Sequence, residues 1–304
     1  VKGFSAIPIF VAVIETGGFS PAARKLGVSK SAVSKRITQL EDQLGVRLLH
    51  RTTRKLSLTE AGLRYYELAS QVMVTAAQAE DAVTELQGEP QGRLRINVPM
   101  SFGRLHVAPV IPVFLERFPK LEINLVMDDQ MVDLVGGGFD LAIRAGELPD
   151  SALIARKLAP CRHVIVASPE YVAREGRPKT VDELRDHNCL LYSYSTDAKE
   201  WTLTNNKETT SIQVSGNYQV NNSEALLEGV RAGTGIGRLP TFVAGPDLKA
   251  KRLINLFESY QIADKTLYAV FPEREYLPAK VRVFVDFLIE QFGGEEPYWE
   301  PSSH

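Results

Sequence analysis

From Thr59 to about Gln87 the chain carries no proline and repeats its apolar residues at helical spacing, until Gly88 and Pro90 end the run. Thr59 stands where a cap belongs, so the pattern predicts one helix of about 28 residues, about 42 Å long. This rod sets a head, residues 1–60, apart from a larger body. Tyr65, Leu68, Val72, Thr75, Ala79, Ala82 and Leu86 fall at alternating spacings of three and four. The alanines among them would let a second helix come close. The competing expectation is a helix packed on its own domain.

Head and body differ in charge. Residues 1–60 hold ten Lys/Arg against four Asp/Glu, about +6, whereas the 304-residue chain as a whole is at -2. A basic head on an acidic body suits a polyanion-binding module joined to something else, because phosphate attraction needs local rather than global charge. Cys161 and Cys189 have neither a disulfide framework nor a zinc spacing and read as structural thiols. No apolar stretch approaches the ~18 residues of a membrane span and no signal-peptide core is present, so a soluble cytoplasmic protein without membrane contact is expected.

Within the head, Phe4, Ile7, Phe10, Val11 and Ile14 predict a first helix ended by Gly17-Gly18. Ser20 is expected to cap a second, Pro21 to Leu26, stopped by Gly27. After a tight turn Ser29 caps a third, Lys30 to about Leu44, with Val33, Ile37, Leu40 and Leu44 inward and Lys30, Ser31, Ser34, Lys35 and Thr38 outward. Two short helices and a turn, the second helix polar and basic on its free face, make a helix-turn-helix. An α-helix fits the major groove, where hydroxyls and long cations near its N-terminus reach base edges. Leu48 to Leu58 then reads as two short strands around a basic turn, a wing whose Arg51, Arg54 and Lys55 can meet phosphate or the minor groove.

These residues resemble the LysR-type transcriptional regulators, through Gly18-Phe19-Ser20-Pro21-Ala22-Ala23-Arg24-Lys25-Leu26, Ser31-Ala32-Val33-Ser34, Leu40-Glu41-Asp42-Gln43-Leu44-Gly45, Leu48-Leu49-His50-Arg51-Thr52 and Leu58-Thr59-Glu60-Ala61-Gly62. Several blocks in order at the right spacing are far more specific than a lone helix-turn-helix. Lys30-Ser31 stands where the family often has Gln-Pro, so base contacts there do not carry over. The expected DNA-binding set is Ser20, Ser29, Lys30, Ser31, Ser34, Lys35, Arg51, Thr52, Arg54 and Lys55. The resemblance also implies that the long helix pairs with its twin, in a dimer or a tetramer.

From Arg93 the periodicity changes to strands alternating with helices. Leu94–Val98, Leu121–Met127, Leu141–Arg144, His163–Ala167 and Leu267–Phe271 read as strands; Leu105–Phe118 and the stretch of Val281, Phe284, Val285, Leu288 and Ile289 read as helices. Thr180-Val181-Asp182-Glu183 looks like a capping box. Phe139 to Gly146, Val166-Ala167-Ser168-Pro169 and Ala232 to Pro240 resemble further landmarks of the same family, although Arg238 replaces its usual small apolar residue. The fold this implies is a mainly α winged helix-turn-helix (1–60), a linker helix (59–87) and a hinge (88–92). An α/β effector domain of the two-lobed periplasmic-binding-protein type follows, with lobe I at 93–162 and 268–292, lobe II at 163–267 and a C-terminal tail at 293–304. An effector would lie between the lobes, against Met100, Ser101, Phe102, Asp128, Asp129, Arg144, Tyr194, Asn222 and Ser223. Ser101 and a helix start at Asn222-Ser223 suit an anion, and Arg144 could pair a carboxylate or equally serve a structural salt bridge.

Rival readings find less. Gly233-Thr234-Gly235-Ile236-Gly237 follows a helix instead of opening one after a strand, so it is no dinucleotide fingerprint, and no P-loop, HExxH or GxSxG occurs. His106, His163 and His187 lack metal spacing. A transported-solute-binding protein is disfavoured by the basic head. The expectation is therefore a regulator that is no enzyme and uses no cofactor or metal. Its partners would be dyad-symmetric double-stranded DNA, a small polar or anionic effector, itself and RNA polymerase.

Overall fold

A computed structural model describes residues 3–51, 56–85, 89–134, 136–146, 153–195, 197–206, 208–262, 265–272, 277–294 and 296–300. The chain divides into two compact units, Val1–Glu89 with Asp133–Phe139, and Pro90–Val132 with Asp140–His304. Residues 133–139, expected in lobe I, thus group with the first unit. They form a turn closed by Gly137 N–H to Asp133 O and Phe139 N–H to Leu134 O.

In the first unit a 3-10 turn at Phe4–Ala6 leads into α1 (Ile7–Glu15), α2 (Phe19–Leu26) and α3 (Lys30–Leu44). Gly27 ends α2 at φ 65°, a left-handed conformation that costs glycine nothing, and so makes the tight turn of the helix-turn-helix. Ser29 caps α3 by accepting from Ala32 N–H at 3.2 Å. Ser20 is not a cap: Gly18 holds that position, and Ser20 sits exposed in the first turn of α2. Val33, Ile37 and Leu40 are buried as the spacing requires, with Phe10, Val13, Ala22 and Leu48. Leu44 lies beyond that core and is 41% exposed; the chain refills the core with Leu48 and Leu49.

The wing strands β1 (Leu49–Arg51) and β2 (Leu56–Leu58) pair antiparallel, Leu49 opposite Leu58 and Arg51 opposite Leu56. Thr59 then caps α4 (Glu60–Glu85), its hydroxyl accepting from Gly62 N–H at 2.9 Å and donating to Arg47 O. Gly62 passes so close to the wing that a Cβ there would lie 1.9 Å from Leu48 O. The apolar stripe on α4 divides. Tyr65 and Val72, with Tyr66 and Met73, pack around Ile7, Val11 and Ala69 of the same unit, whereas Leu68 is 64% exposed and Thr75 and Ala79 are exposed. Leu86 and the side chain of Ala82 lie outside the described residues.

The second unit contains two five-stranded sheets. The first has the order β4-β3-β5-β15-β6: β3 (Gly92–Val98) runs parallel to β4 (Leu121–Met127) and β5 (Leu141–Ala145), and β15 (Lys265–Pro272) is antiparallel to β5 and β6 (Leu153–Cys161). The second has the order β11-β8-β12-β7-β13, from β7 (His163–Ala167), β8 (Cys189–Tyr192), β11 (Gln219–Val220), β12 (Ile236–Pro240) and β13 (Ile254–Asn255). β9 (Glu200–Asn205), β10 (Glu208–Gln213) and β14 (Gln261–Ile262) make a separate antiparallel ribbon. The chain crosses between the large sheets at Arg162 and again before Lys265, two residues earlier than the expected strand Leu267–Phe271 begins.

Helices pack on these sheets. The helix after β3 has three parts: α5 (Met100–Phe102), a π turn at Gly103–Val107 and α6 (Ala108–Arg117). The others are α7 (Pro169–Glu175), α8 (Ser223–Arg231), α9 (Thr241–Lys249) and α10 (Ala279–Phe292). The expected capping box does not form as such. Asp182–Asp186 is a 3-10 turn without a side-chain cap at Val181, and Glu183 instead reaches back to Lys179 N–H at 2.7 Å. The expected tail is not free throughout: Pro297 is buried, and Trp299 is 2% exposed among Phe102, Phe292 and His106.

Candidate functional site

Two surfaces carry chemistry, one in each unit. In the first, the α3 cap brings short hydroxyls to the helix N-terminus, where Ser29 and Ser31 share a 2.9 Å hydrogen bond. Lys30, Ser31 and Lys35 are exposed and Ser34 is half-buried on the same helix. Arg36 turns away to Ser5 Oγ at 3.1 Å, and Lys25 is held by Glu15 at 2.7 Å. Lys30 and Lys35 are therefore the cations of α3 left pointing outward. Arg51 ends β1; its side chain and the expected contacts Thr52, Arg54 and Lys55 lie outside the described residues.

Glu41, quoted in the sequence only as part of a motif, holds this surface together. Buried at 2% exposure, it accepts Leu48 N–H at 2.9 Å and Leu49 N–H at 3.2 Å through Oε1 and binds Arg47 at 2.8 Å through Oε2. One carboxylate thus fixes the wing to the end of the recognition helix. Its signal in the sequence was an acid four residues after Ile37 on the buried stripe.

In the second unit a cavity of about 300 Å³ opens between the two large sheets. Ser101, Phe102, Asp129, Arg144, Tyr194 and Ser223 of the expected set line it. Three expected residues do not. Met100 is 40% exposed, and only its backbone N–H serves the site, donating to Asp129 Oδ1 at 3.0 Å. Asp128 caps a turn by accepting from Gln130 N–H. Asn222 caps α8, taking Glu224 and Ala225 N–H onto its own Oδ1 at 3.1 and 2.9 Å, and touches Ser101 Oγ through Nδ2 at 3.4 Å. The helix N–H groups expected to await an anion are thus partly occupied by the protein.

Sequence reading missed the other side of the cavity: Cys161, His163, Tyr192, Ser195, Asp197, Arg238 and Lys265. Arg238, unexplained in the sequence, donates to Asp197 Oδ2 at 2.8 Å and lies 5.9 Å from the Trp201 ring centre. Ser195 also donates to Asp197. Burial would push the Asp197 carboxyl up, but the Arg238 and Ser195 hydrogen bonds and the charges of Arg238 and Lys265 hold it far below the usual carboxylate range. The Arg238 departure from the family pattern was the available signal. His163 and Lys265 begin the two strands that follow the crossings, a place only topology reveals.

At the far side, burial lowers the Arg144 pKa, against the opposing pull of Asp128 and Asp129. Arg144 Nη1 donates to Ile143 O at 3.0 Å, whereas Nη2 is buried without a hydrogen-bond partner among the described residues. Burial raises Asp129, against the Met100 N–H and the Tyr192 hydroxyl. His163 is pushed down to about 4, first by burial and then by the charges of Arg238 and Lys265, so it is neutral at pH 7. Its Nδ1 completes no hydrogen bond among the described residues. No metal-binding group of three or more His, Cys, Asp or Glu occurs among the described residues, and no helix there is long and apolar enough to cross a membrane.

Comparison with known proteins agrees with this geometry. Residues 4–63 match "Bacterial regulatory helix-turn-helix protein, lysR family" and residues 87–293 match "LysR substrate binding domain". The HTH-type transcriptional regulator PtxR of Pseudomonas aeruginosa is 36% identical over 288 residues, 94% of this chain and 92% of PtxR. The solved structure of CrgA, a LysR-type transcriptional regulator from Neisseria meningitidis, is similar at a TM-score of 0.63 with 35% identity, covering 95% of this chain and 99% of that one. Full-length AphB, the Vibrio cholerae virulence activator, gives a TM-score of 0.63 with 30% identity over 94% of this chain and 98% of its own.

Proposed function

The chain belongs to the LysR-type transcriptional regulators, DNA-binding proteins with an effector-binding domain, and from that premise we propose which residues do each task. Ser29, Lys30, Ser31, Ser34 and Lys35 of α3 enter the major groove, with Ser20 and Arg51, Thr52, Arg54 and Lys55 of the wing on flanking phosphates. The observation that carries this reading is the outward pair Lys30 and Lys35 beside a capped, hydroxyl-rich helix start. Such contacts displace counterions, so operator affinity should fall steeply with salt.

The cavity between the sheets holds the effector, against Ser101, Phe102, Asp129, Arg144, Tyr194 and Ser223. A ligand there acts only through its different affinities for two lobe arrangements, a coupling of roughly 1–3 kcal/mol. The test uses DNA selected from a random pool. Lys35→Ala and Arg51→Ala should each flatten the salt dependence of operator binding by about one unit of log–log slope; unchanged slopes in both would displace the surface. Metabolites that stabilise the full chain should lose that effect in Ser101→Ala, and hits insensitive to it lie outside the cavity.

A further inference from the structure

The cavity is uneven in charge, and its unevenness specifies more than the presence of a ligand. Three cations, Arg144, Arg238 and Lys265, line it against two carboxylates, Asp129 and Asp197. Arg238 is committed to Asp197 by a hydrogen bond of 2.8 Å. Arg144 faces Asp129 together with Asp128. Lys265 has neither a hydrogen bond nor an ion pair to any described residue; it shares the field of Asp197 only at longer range. Among the described residues, the Lys265 end thus sets two cations, Arg238 and Lys265, against Asp197, and the Arg144 end sets one cation against two carboxylates.

Strand register places this charge. Lys265 lies opposite Cys161, two residues before His163, and Tyr268 lies opposite Arg144. Three residue steps along β15 separate the two ends, about 10 Å in an extended strand. At the Lys265 end stands His163, a neutral ring drawn to the Cys161 carbonyl, and both residues stand on the strands by which the chain crosses between the sheets. At the Arg144 end, Nη2 is a buried donor without an acceptor among the described residues, but two carboxylates already stand in its field. Phe102, Phe242, Ile262 and Leu267 supply apolar wall.

We propose that the ligand is a small monocarboxylic acid with an apolar middle and a neutral oxygen at its other end. Its carboxylate rests on Lys265 at the crossing strands, and Arg144 donates to the neutral oxygen in place of pairing the acid. The inference rests on the cavity being the effector site. Among the described residues the excess of cations at the Lys265 end selects one negative charge there, and a second carboxylate beside Asp128 and Asp129 would meet repulsion.

The experiment uses the full chain and two matched pairs, 4-hydroxyphenylacetate against 4-hydroxyphenylacetamide and 6-hydroxyhexanoate against 6-hydroxyhexanamide, measured by calorimetry and thermal shift. At least one acid should bind ten-fold or more tightly than its amide. Lys265→Met should reduce that ratio to under about two, Lys265→Arg should retain it, and Arg144→Met should weaken acid and amide alike with the ratio kept. An acid-over-amide preference that survives Lys265→Met, or is lost in Arg144→Met alone, overturns the assignment of charge. Amides that bind as well as acids and are lost on Ser101→Ala overturn it too, while leaving the cavity as the effector site. Binding of none of the four in a chain that unfolds cooperatively also overturns the proposed ligand class, whereas binding unaffected by Ser101→Ala or Lys265→Met counts against the site itself.

Discussion

Glu41 shows how much one side chain can settle. Its carboxylate satisfies two wing N–H groups that no neighbouring strand serves, so Glu41→Ala should cost about 2–4 kcal/mol of head stability, and Glu41→Gln less, in urea titrations of the chain followed by circular dichroism. A loss below about 0.5 kcal/mol would show water replacing the carboxylate. His163 makes a pH-dependent contribution. Its folded pKa of about 4 lies below the unfolded value near 6.5, so the unfolded chain binds the extra proton and stability falls as pH drops from about 6.5 toward 4. The loss approaches about 3 kcal/mol at the bottom of that window. Denaturation at pH 7 and pH 4.5 should show a smaller acid loss in His163→Gln than in the parent chain. Burial also pushes the Cys189 thiol up to about 12, so alkylation of native protein should leave Cys189 intact until it unfolds.

Among the elements, the segment Pro297–Glu300 does what its position at the end of the chain conceals. Tyr298 Oη meets His106 Nδ1 at 2.6 Å, and His106 Nε2 donates to Phe242 O at 2.9 Å, which makes Nδ1 the acceptor of a neutral ring. Burial lowers the His106 pKa, in keeping with that form. Thr241 donates to Glu300 at 2.7 Å and Lys249 to the Tyr298 carbonyl at 2.9 Å. The segment thereby fastens the helix following β3 to α9, elements of the two different sheets. Trp299→Ala should cost about 3–5 kcal/mol by the cavity it leaves, read as a lower melting temperature of the second unit. For α4, Leu68 is, among the described residues, the large apolar residue of the stripe that its own unit leaves uncovered. Leu68→Glu should shift the mass measured by light scattering toward the monomer, and an unchanged mass would place the dimer contact elsewhere.

On the scale of the whole molecule, a head that reads DNA is useful only when doubled, since a single helix in the groove covers a few base pairs. Footprints on selected DNA should therefore show two half-sites about 34 Å apart or a multiple of it. The sequence by itself determined the three head helices, the wing, the long helix and the alternating body, because caps, glycine stops and apolar period are local properties that survive whatever surrounds them. It also marked Ser101, Asp129, Arg144 and Ser223, through resemblance to a family. It did not show β6 (Leu153–Cys161), whose residues 154–157 are all exposed, apolar and charged alike, and so lack strand alternation, nor the burial of Trp299. Above all it left out Lys265 and His163. Their 102-residue separation is closed only when β15 pairs with β6, and the free charge between them depends on which carboxylates the other cations have already taken. Pairing between strands so distant in sequence is a property of the folded chain, and so the end of the cavity that carries surplus charge was decided by tertiary structure alone.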